Sequence, residues 1–189
     1  FIWIFSISII FPQDAPEEFD FNISIYQSFY FFITSDIDGE PLVEGEDWIA
    51  SFNEYDETMG GECEYIDHDI DDNILTDDCQ DVNGDGLLTE SVDVCVGSFS
   101  WSGEYTTVPV MGDDGTRWTV GYMQNDQLPT FRIYDASEDI IYNAVSSVTY
   151  PWSTDLAFYV ISISVLRDCN DDLGGDAFID DCNECIDGN

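Results

Sequence analysis

The chain has 189 residues and carries 41 acidic against 3 basic side chains, for a formal net charge of −38. This charge repels phosphate groups, so the composition excludes nucleic acid as a partner and argues against docking on anionic membranes. Yet 44% of the residues are hydrophobic and 15% are aromatic, unlike disordered acidic chains. The sequence therefore predicts a folded domain.

Residues 1–13 open with an apolar run, FIWIFSISIIF, followed by Pro12. The run is too short to span a bilayer and has the length of a signal-peptide core, so we expect a partial signal peptide here. A first β-strand is the alternative, because Ile and aromatic residues favour strands. Six cysteines agree with an oxidising compartment, and we expect a secreted, extracellular or cell-surface protein.

Alternation of apolar and polar residues dominates the body of the chain, residues 14–167, and predicts short strands separated by Gly- and Asp-rich turns. The expected fold class is all-β, an antiparallel β-sandwich. Four of the five tryptophans lie in this body, where we expect core packing rather than a sugar-stacking surface. The predicted strands cover residues 19–25, 28–34, 47–52, 93–101, 105–111, 116–123, 129–135, 140–145 and 156–166.

The acidic residues are unevenly distributed. Residues 54–93 hold 15 of them and residues 168–189 hold 8, so 23 of the 41 lie in two short stretches. All three arginines lie between residues 94 and 167. We therefore expect a sandwich interrupted by an acidic insert over residues 54–92 and followed by a Cys/Asp/Gly-rich repeat or linker that begins at residue 168.

The second half of the insert has the ligand spacing of an EF-hand-type calcium loop. Hard oxygen ligands on alternate residues converge on one Ca²⁺ once a glycine, here Gly86, turns the chain. Position 12 of the loop is Val92, so a nearby acid must replace the usual carboxylate. The candidate ligands are Asp81, Asn83, Asp85, the Leu87 carbonyl, Thr89, and Glu90 or Asp93.

An earlier stretch, residues 67–78, repeats this plan with Asp72 where glycine is preferred. Its offset of fourteen residues is too short for two complete EF-hands. A solvated acidic loop without a specific ion is the alternative for both stretches, although close carboxylates repel one another unless cations bind them. The candidate Ca²⁺ ligands in this stretch are Asp67, Asp69, Asp71, Asn73 and Asp78.

The body resembles a module of secreted, multi-domain surface proteins of marine bacteria. The matching blocks are DAPEEFDFN (14–22), EDWIASFN (46–53), DVCVGS (93–98), VPVMGDDG (108–115), GYM (121–123) and PTFRIYDASE (129–138). The second calcium stretch is similar to dockerin loops, and the pair suits stacked thrombospondin type 3-like loops. The resemblance implies no enzymatic activity. It also implies a cysteine pair that this chain lacks, which leaves the partner of Cys95 open.

The expected function is a non-catalytic, secreted, calcium-binding β-sandwich module of a larger cell-surface or extracellular-matrix protein, with a structural or adhesive role. The chain contains one histidine and no nucleophile motif, so we do not expect an enzyme. The alternative is a carbohydrate-binding module attached to a secreted polysaccharide-degrading enzyme. Expected partners are calcium and either a polysaccharide or other surface proteins.

Overall fold

The computed structural model describes residues 14–57, 91–180 and 182–186. These residues form one short 3-10 helix, Glu17–Phe19, and a series of β-strands, and no helix among them is long and apolar enough to cross a membrane. The all-β prediction is confirmed. The strands are β1 (Gln27–Ile37), β2 (Glu40–Pro41), β3 (Trp48–Tyr55), β4 (Val92–Ser100), β5 (Thr106–Met111), β6 (Thr130–Asp135), β7 (Ile140–Ser146), β8 (Ala157–Val165), β9 (Phe178–Ile179) and β10 (Cys185–Ile186).

The strands β1 to β8 are hydrogen-bonded in the order β2-β1-β8-β7-β6-β3-β4, and β5 pairs with β1. Strand β7 pairs with β6 over most of its length and with β8 only at Val145 and Ser146. The chain thus passes there from a front sheet (β4, β3, β6, β7) to a back sheet (β8, β1, β5, β2). Strands β1 and β8 are parallel, so the sandwich is mixed rather than antiparallel throughout.

The two sheets also approach each other at the contact between β4, at the edge of the front sheet, and β5, which pairs with β1 in the back sheet. The backbone of Gly97 in β4 faces the backbone of Pro109 in β5, and a Cβ atom placed on Gly97 would lie 1.7 Å from the Pro109 carbonyl oxygen. Only glycine permits such a close backbone approach. The contact between Gly97 and Pro109 therefore joins β4 of the front sheet to β5 of the back sheet.

The main core lies between the sheets. Inward-facing residues of β1, such as Tyr30 and Phe32, meet those of β6, and the Tyr30 and Phe131 ring centroids are 5.6 Å apart. Trp101 and Trp152 are buried in this core, which confirms core packing for two of the tryptophans. The other buried strand residues of this core are Ile49, Val96, Val108, Val110, Met111, Ile133, Val160, Ile163 and Val165.

A second, smaller cluster lies on the outer face of the front sheet. Phe19 is almost fully buried there, with its ring edge-on to Phe52 at 5.9 Å and to Tyr134 at 6.4 Å between centroids. The N-terminal segment, residues 14–26, therefore crosses this face and covers it. Ser98 donates a hydrogen bond to the Phe19 carbonyl at 3.0 Å, which ties the segment to β4.

The predicted strand over residues 19–25 is wrong. The segment begins as a 3-10 helix and then runs without strand pairing until Gln27. Its alternation does not mark one buried face, because Ile23 and Ile25 are about three-quarters exposed. Side chains engage its backbone instead: the Tyr26 amide donates to Ser24 Oγ at 3.0 Å, and the Asn22 amide donates to the Tyr122 hydroxyl.

The predicted strand over residues 116–123 is also wrong, because this stretch is a series of turns. The Asp114 carboxylate accepts hydrogen bonds from the Thr119 hydroxyl at 2.7 Å and from the Thr116 amide at 3.1 Å. These hydroxyl and amide groups stabilise the ionised form and lower the pKa of Asp114 to about 2. We refer to residues 112–123 as the Asp114 loop.

The tail contains two similar five-residue loops. In each, one aspartate Oδ1 accepts amide hydrogen bonds from the second and fourth residues that follow, at 2.8–2.9 Å: Asp168 in the first loop and Asp180 in the second. A disulfide joins Cys169 to Cys185, which confirms the predicted disulfide character. Leu173, which follows the first loop, packs against the main core, so the tail is attached to the sandwich.

Candidate functional site

The two ends of the predicted insert, which we call its base, are held next to each other by β3 and β4 of the front sheet. Strands β3 and β4 stay paired up to Tyr55 and Val92, and Ser91 Oγ donates to Glu54 Oε1 at 2.6 Å. The two ends of the insert are therefore neighbours, held by the sheet. Most of the predicted calcium ligands lie outside the described residues: Asp67, Asp69, Asp71, Asn73, Asp78, Asp81, Asn83, Asp85, Leu87, Thr89 and Glu90.

Asp93 is the predicted ligand that the structure describes. It lies in β4 opposite Glu54, and its carboxylate forms an ion pair with the guanidinium of Arg132 in β6. The Arg132 guanidinium also lies over the Phe52 ring, 4.2 Å from the centroid. Asp93 is thus already held by a cation of the sandwich. In the described ranges, no three His, Cys, Asp or Glu side chains converge on a possible metal position.

The Asp114 loop lies at the same end of the front sheet. Asn53, a buried residue of β3, donates its amide group to the Gly121 carbonyl at 2.9 Å. Gly121 has a positive φ of 77° and lies against Tyr55 and Val94, so a side chain at this position would be strained and crowded. The end of the sandwich that carries the insert therefore also holds this loop in place.

A cleft of about 780 Å³ opens between the N-terminal segment, the front sheet and the Asp114 loop. This volume is within the range of small-molecule sites in proteins. The cleft contains two of the chain's three arginines. Its charged lining residues are Glu17, Glu18, Asp20, Asp93, Arg117 and Arg132, and its aromatic ones are Phe21, Phe52, Trp118 and Tyr122.

Trp118 differs from the other described tryptophans. Trp101 and Trp152 are buried and Trp48 is half-buried, whereas Trp118 is 55% exposed at the mouth of the cleft. The guanidinium of Arg117 lies 4.4 Å from its ring centroid. An exposed, oriented indole beside charged hydrogen-bonding groups is suited to binding a ligand with an apolar face and polar edges.

Cys95 lies at the inner wall of the cleft, in the second cluster. Its thiol is free and buried, and its Sγ contacts the Gly97 carbonyl oxygen at 3.8 Å. Burial raises the pKa of Cys95 to about 12, so the group is a protonated thiol at neutral pH. A thiol in this state is a poor nucleophile, and its place among aromatic rings is that of a packing residue.

Sequence reasoning missed the cleft because its residues are far apart along the chain. The sequence pattern predicts one strand for Trp118 and another for Asp20, and it predicts no contact between the two. The sequence feature that could have indicated the cleft is the scarcity of arginine. Two of the three arginines line it. Comparison of the chain with models of known protein families, with characterised proteins and with solved structures finds no match.

Proposed function

We propose that the chain is a non-catalytic, secreted module of a larger cell-surface or extracellular-matrix protein. In this proposal the sandwich holds a calcium-binding insertion, and its role is structural or adhesive. The observation that carries it is the base of the insert, where β3 and β4 remain paired to Tyr55 and Val92. A segment whose two ends are fixed side by side loses less conformational entropy when a cation closes it.

The charge of the insert supports a role for cations. Residues 54–93 contain 15 acidic residues, and the structure describes an ion pair for Asp93 with Arg132 at their boundary. None of the three arginines lies within this stretch. Carboxylates at such density repel one another, and binding of divalent cations relieves that repulsion. Calcium affinity in the weak extracellular range, roughly 10⁻⁴–10⁻³ M, would suit this role.

Asp114 in the sandwich and Asp168 in the tail lack the pKa shift expected of a general acid. A carboxyl that serves as a general acid near neutral pH needs a raised pKa. The pKa values of Asp114 and Asp168 are instead lowered, because hydroxyl and backbone amide groups donate to their carboxylates. Secretion is supported by the Cys169–Cys185 disulfide, since disulfides persist mainly in oxidising compartments.

A carbohydrate-binding module attached to a degradative enzyme is the second candidate. Two of the four tryptophans of the body, Trp101 and Trp152, are buried and cannot stack on a sugar. Trp118 favours it, because this indole is exposed beside a cleft. A saccharide site and a calcium insertion can exist in the same module, so the two candidates are tested separately.

The calcium proposal is tested by thermal unfolding of the chain in increasing CaCl₂. Millimolar calcium is expected to raise the melting temperature of the native chain, and Asp81→Ala and Asp85→Ala are expected to abolish most of the rise. Glu104→Ala is the matched control, because it removes one exposed carboxylate from a turn outside the insert. An unchanged melting temperature in the native chain, or equal loss in the control, contradicts the proposal.

A further inference from the structure

We propose that the cleft beside Trp118 binds a neutral saccharide, with the exposed indole stacked on a sugar ring. This site is independent of the calcium insertion and uses only residues of the sandwich and of the N-terminal segment. The proposal rests on how Trp118 is held, on the charge of the cleft, and on its hydrogen-bonding groups.

Two hydrogen bonds anchor the backbone next to the indole. The neighbouring Thr119 is fully buried, and its hydroxyl donates to Asp114 at 2.7 Å. On the other side of the cleft, Asn22 donates its side-chain amide to the Trp118 carbonyl at 3.1 Å. An exposed aromatic ring on an anchored backbone is pre-organised, so binding costs less entropy than it would on a mobile loop.

The charge of the cleft disfavours anionic ligands. Four carboxylates, those of Glu17, Glu18, Asp20 and Asp93, face two guanidiniums, and the surplus of negative charge repels anions. A cation would compete with the chain's own arginines, since Arg117 already lies over Trp118 and Arg132 over Phe52. Among saccharides, this charge favours neutral over anionic ones.

The polar groups of the cleft match a polyhydroxylated ligand. The exposed carboxylates of Glu17, Glu18 and Asp20 line the cleft and can accept hydrogen bonds from ligand hydroxyls. Sugar hydroxyls both donate and accept, and the C–H faces of a sugar ring are apolar enough to lie on an indole. The volume of about 780 Å³ is sufficient for an oligosaccharide rather than a single small ion.

The test is binding of the native chain to immobilised neutral oligosaccharides and to uronate and sulfated oligosaccharides as the anionic set. Hits are then titrated with the chain in solution by calorimetry. We expect binding to one or more neutral glycans and a loss of about tenfold or more in affinity for Trp118→Ala, as expected when an aromatic anchor is truncated. Asp20→Asn is expected to weaken binding to a smaller extent.

Tyr159→Ala is the matched control, because Tyr159 is similarly exposed but lies in β8, outside the cleft. It is expected to leave affinity unchanged, and Trp118→Phe is expected to restore part of what Trp118→Ala loses. Melting temperatures of all variants confirm that each is folded. Binding to anionic glycans alone, binding to no glycan, or equal effects of Trp118→Ala and Tyr159→Ala would overturn the proposal.

Discussion

Cys95 shows how much the surroundings decide what a residue can do. The sequence leaves the disulfide partner of this cysteine open. In the structure its thiol is free and packs with Phe19, Phe52 and Tyr134 under the N-terminal segment. Burial away from water disfavours the thiolate, so the same residue type that is reactive on a surface is here a small apolar side chain.

The raised pKa of Cys95, about 12, makes stability depend on pH in a predictable direction. In the unfolded chain the thiol ionises near pH 8.5, whereas the folded chain keeps the proton. The contribution to stability is fully present below that pH and is lost as pH rises toward about 12. Tyr30 and Tyr122 also have raised pKa values because of burial, and they add to the loss above about pH 10.

We therefore expect urea unfolding at pH 8, 9 and 10 to show a shallower decline in the free energy of unfolding for Cys95→Ala than for the native chain. Slopes against pH are compared, because the cavity in the variant lowers stability similarly at every pH. Cys182→Ala removes an exposed thiol and should retain the native slope. If the Cys95→Ala slope matches the native slope as well, the thiol is not buried in solution.

At the scale of elements, the sequence predicted the strands whose inward residues share one core. Seven of the predicted ranges overlap β1 and β3 to β8, since period-two alternation records a buried face directly. The strand predictions are wrong over residues 19–25 and 116–123. Apolar residues alternate there, but the side chains of Ser24 and Asp114 accept hydrogen bonds from backbone amides that would otherwise pair in a sheet. The parallel pairing of β1 and β8 and the cleft depend on contacts distant in sequence, which alternation does not encode.

The contact between β4 and β5 gives an element-scale prediction. Gly97→Ala would place a Cβ atom 1.7 Å from the Pro109 carbonyl oxygen and 3.3 Å from Ser51 Oγ. The two strands would have to separate, and we expect the free energy of unfolding to fall by about 3 kcal/mol or more. Denaturant unfolding measures the change, and Ser100→Ala in the same strand should stay within about 0.5 kcal/mol of the native value. A Gly97→Ala variant as stable as this control would mean that the strands are farther apart in solution.

At the scale of the whole molecule, the charge is separated from the core. The stretch from residue 94 to residue 167 carries 8 acids and all three arginines, whereas the two acidic stretches carry 23 acids and no arginine or lysine. The arginines described in β6 and beside the tail form ion pairs with Asp93 and Asp38. These exposed pairs contribute little individually, so most of the negative charge must be offset by ions from solution.

This imbalance predicts that added salt stabilises the folded chain. Repulsion among 41 acidic residues destabilises compact states, and raising the ionic strength from about 0.01 M to 0.1 M shortens the screening length from about 30 Å to about 10 Å. We expect the melting temperature to rise by a few degrees in NaCl, equivalent to about 1–2 kcal/mol for a chain of this size.

Tetramethylammonium chloride is the control salt, because its cation is too large for an oxygen-lined site and acts by screening alone. An equal rise in both salts at matched ionic strength identifies general repulsion as the cause. A larger rise in NaCl indicates specific sodium binding, and a flat response in both contradicts the prediction. The rise in melting temperature in these salts is also the baseline for the calcium experiment. At equal ionic strength, only the additional rise in CaCl₂ reports calcium bound by the insert, because the rest comes from screening of charges across the whole surface.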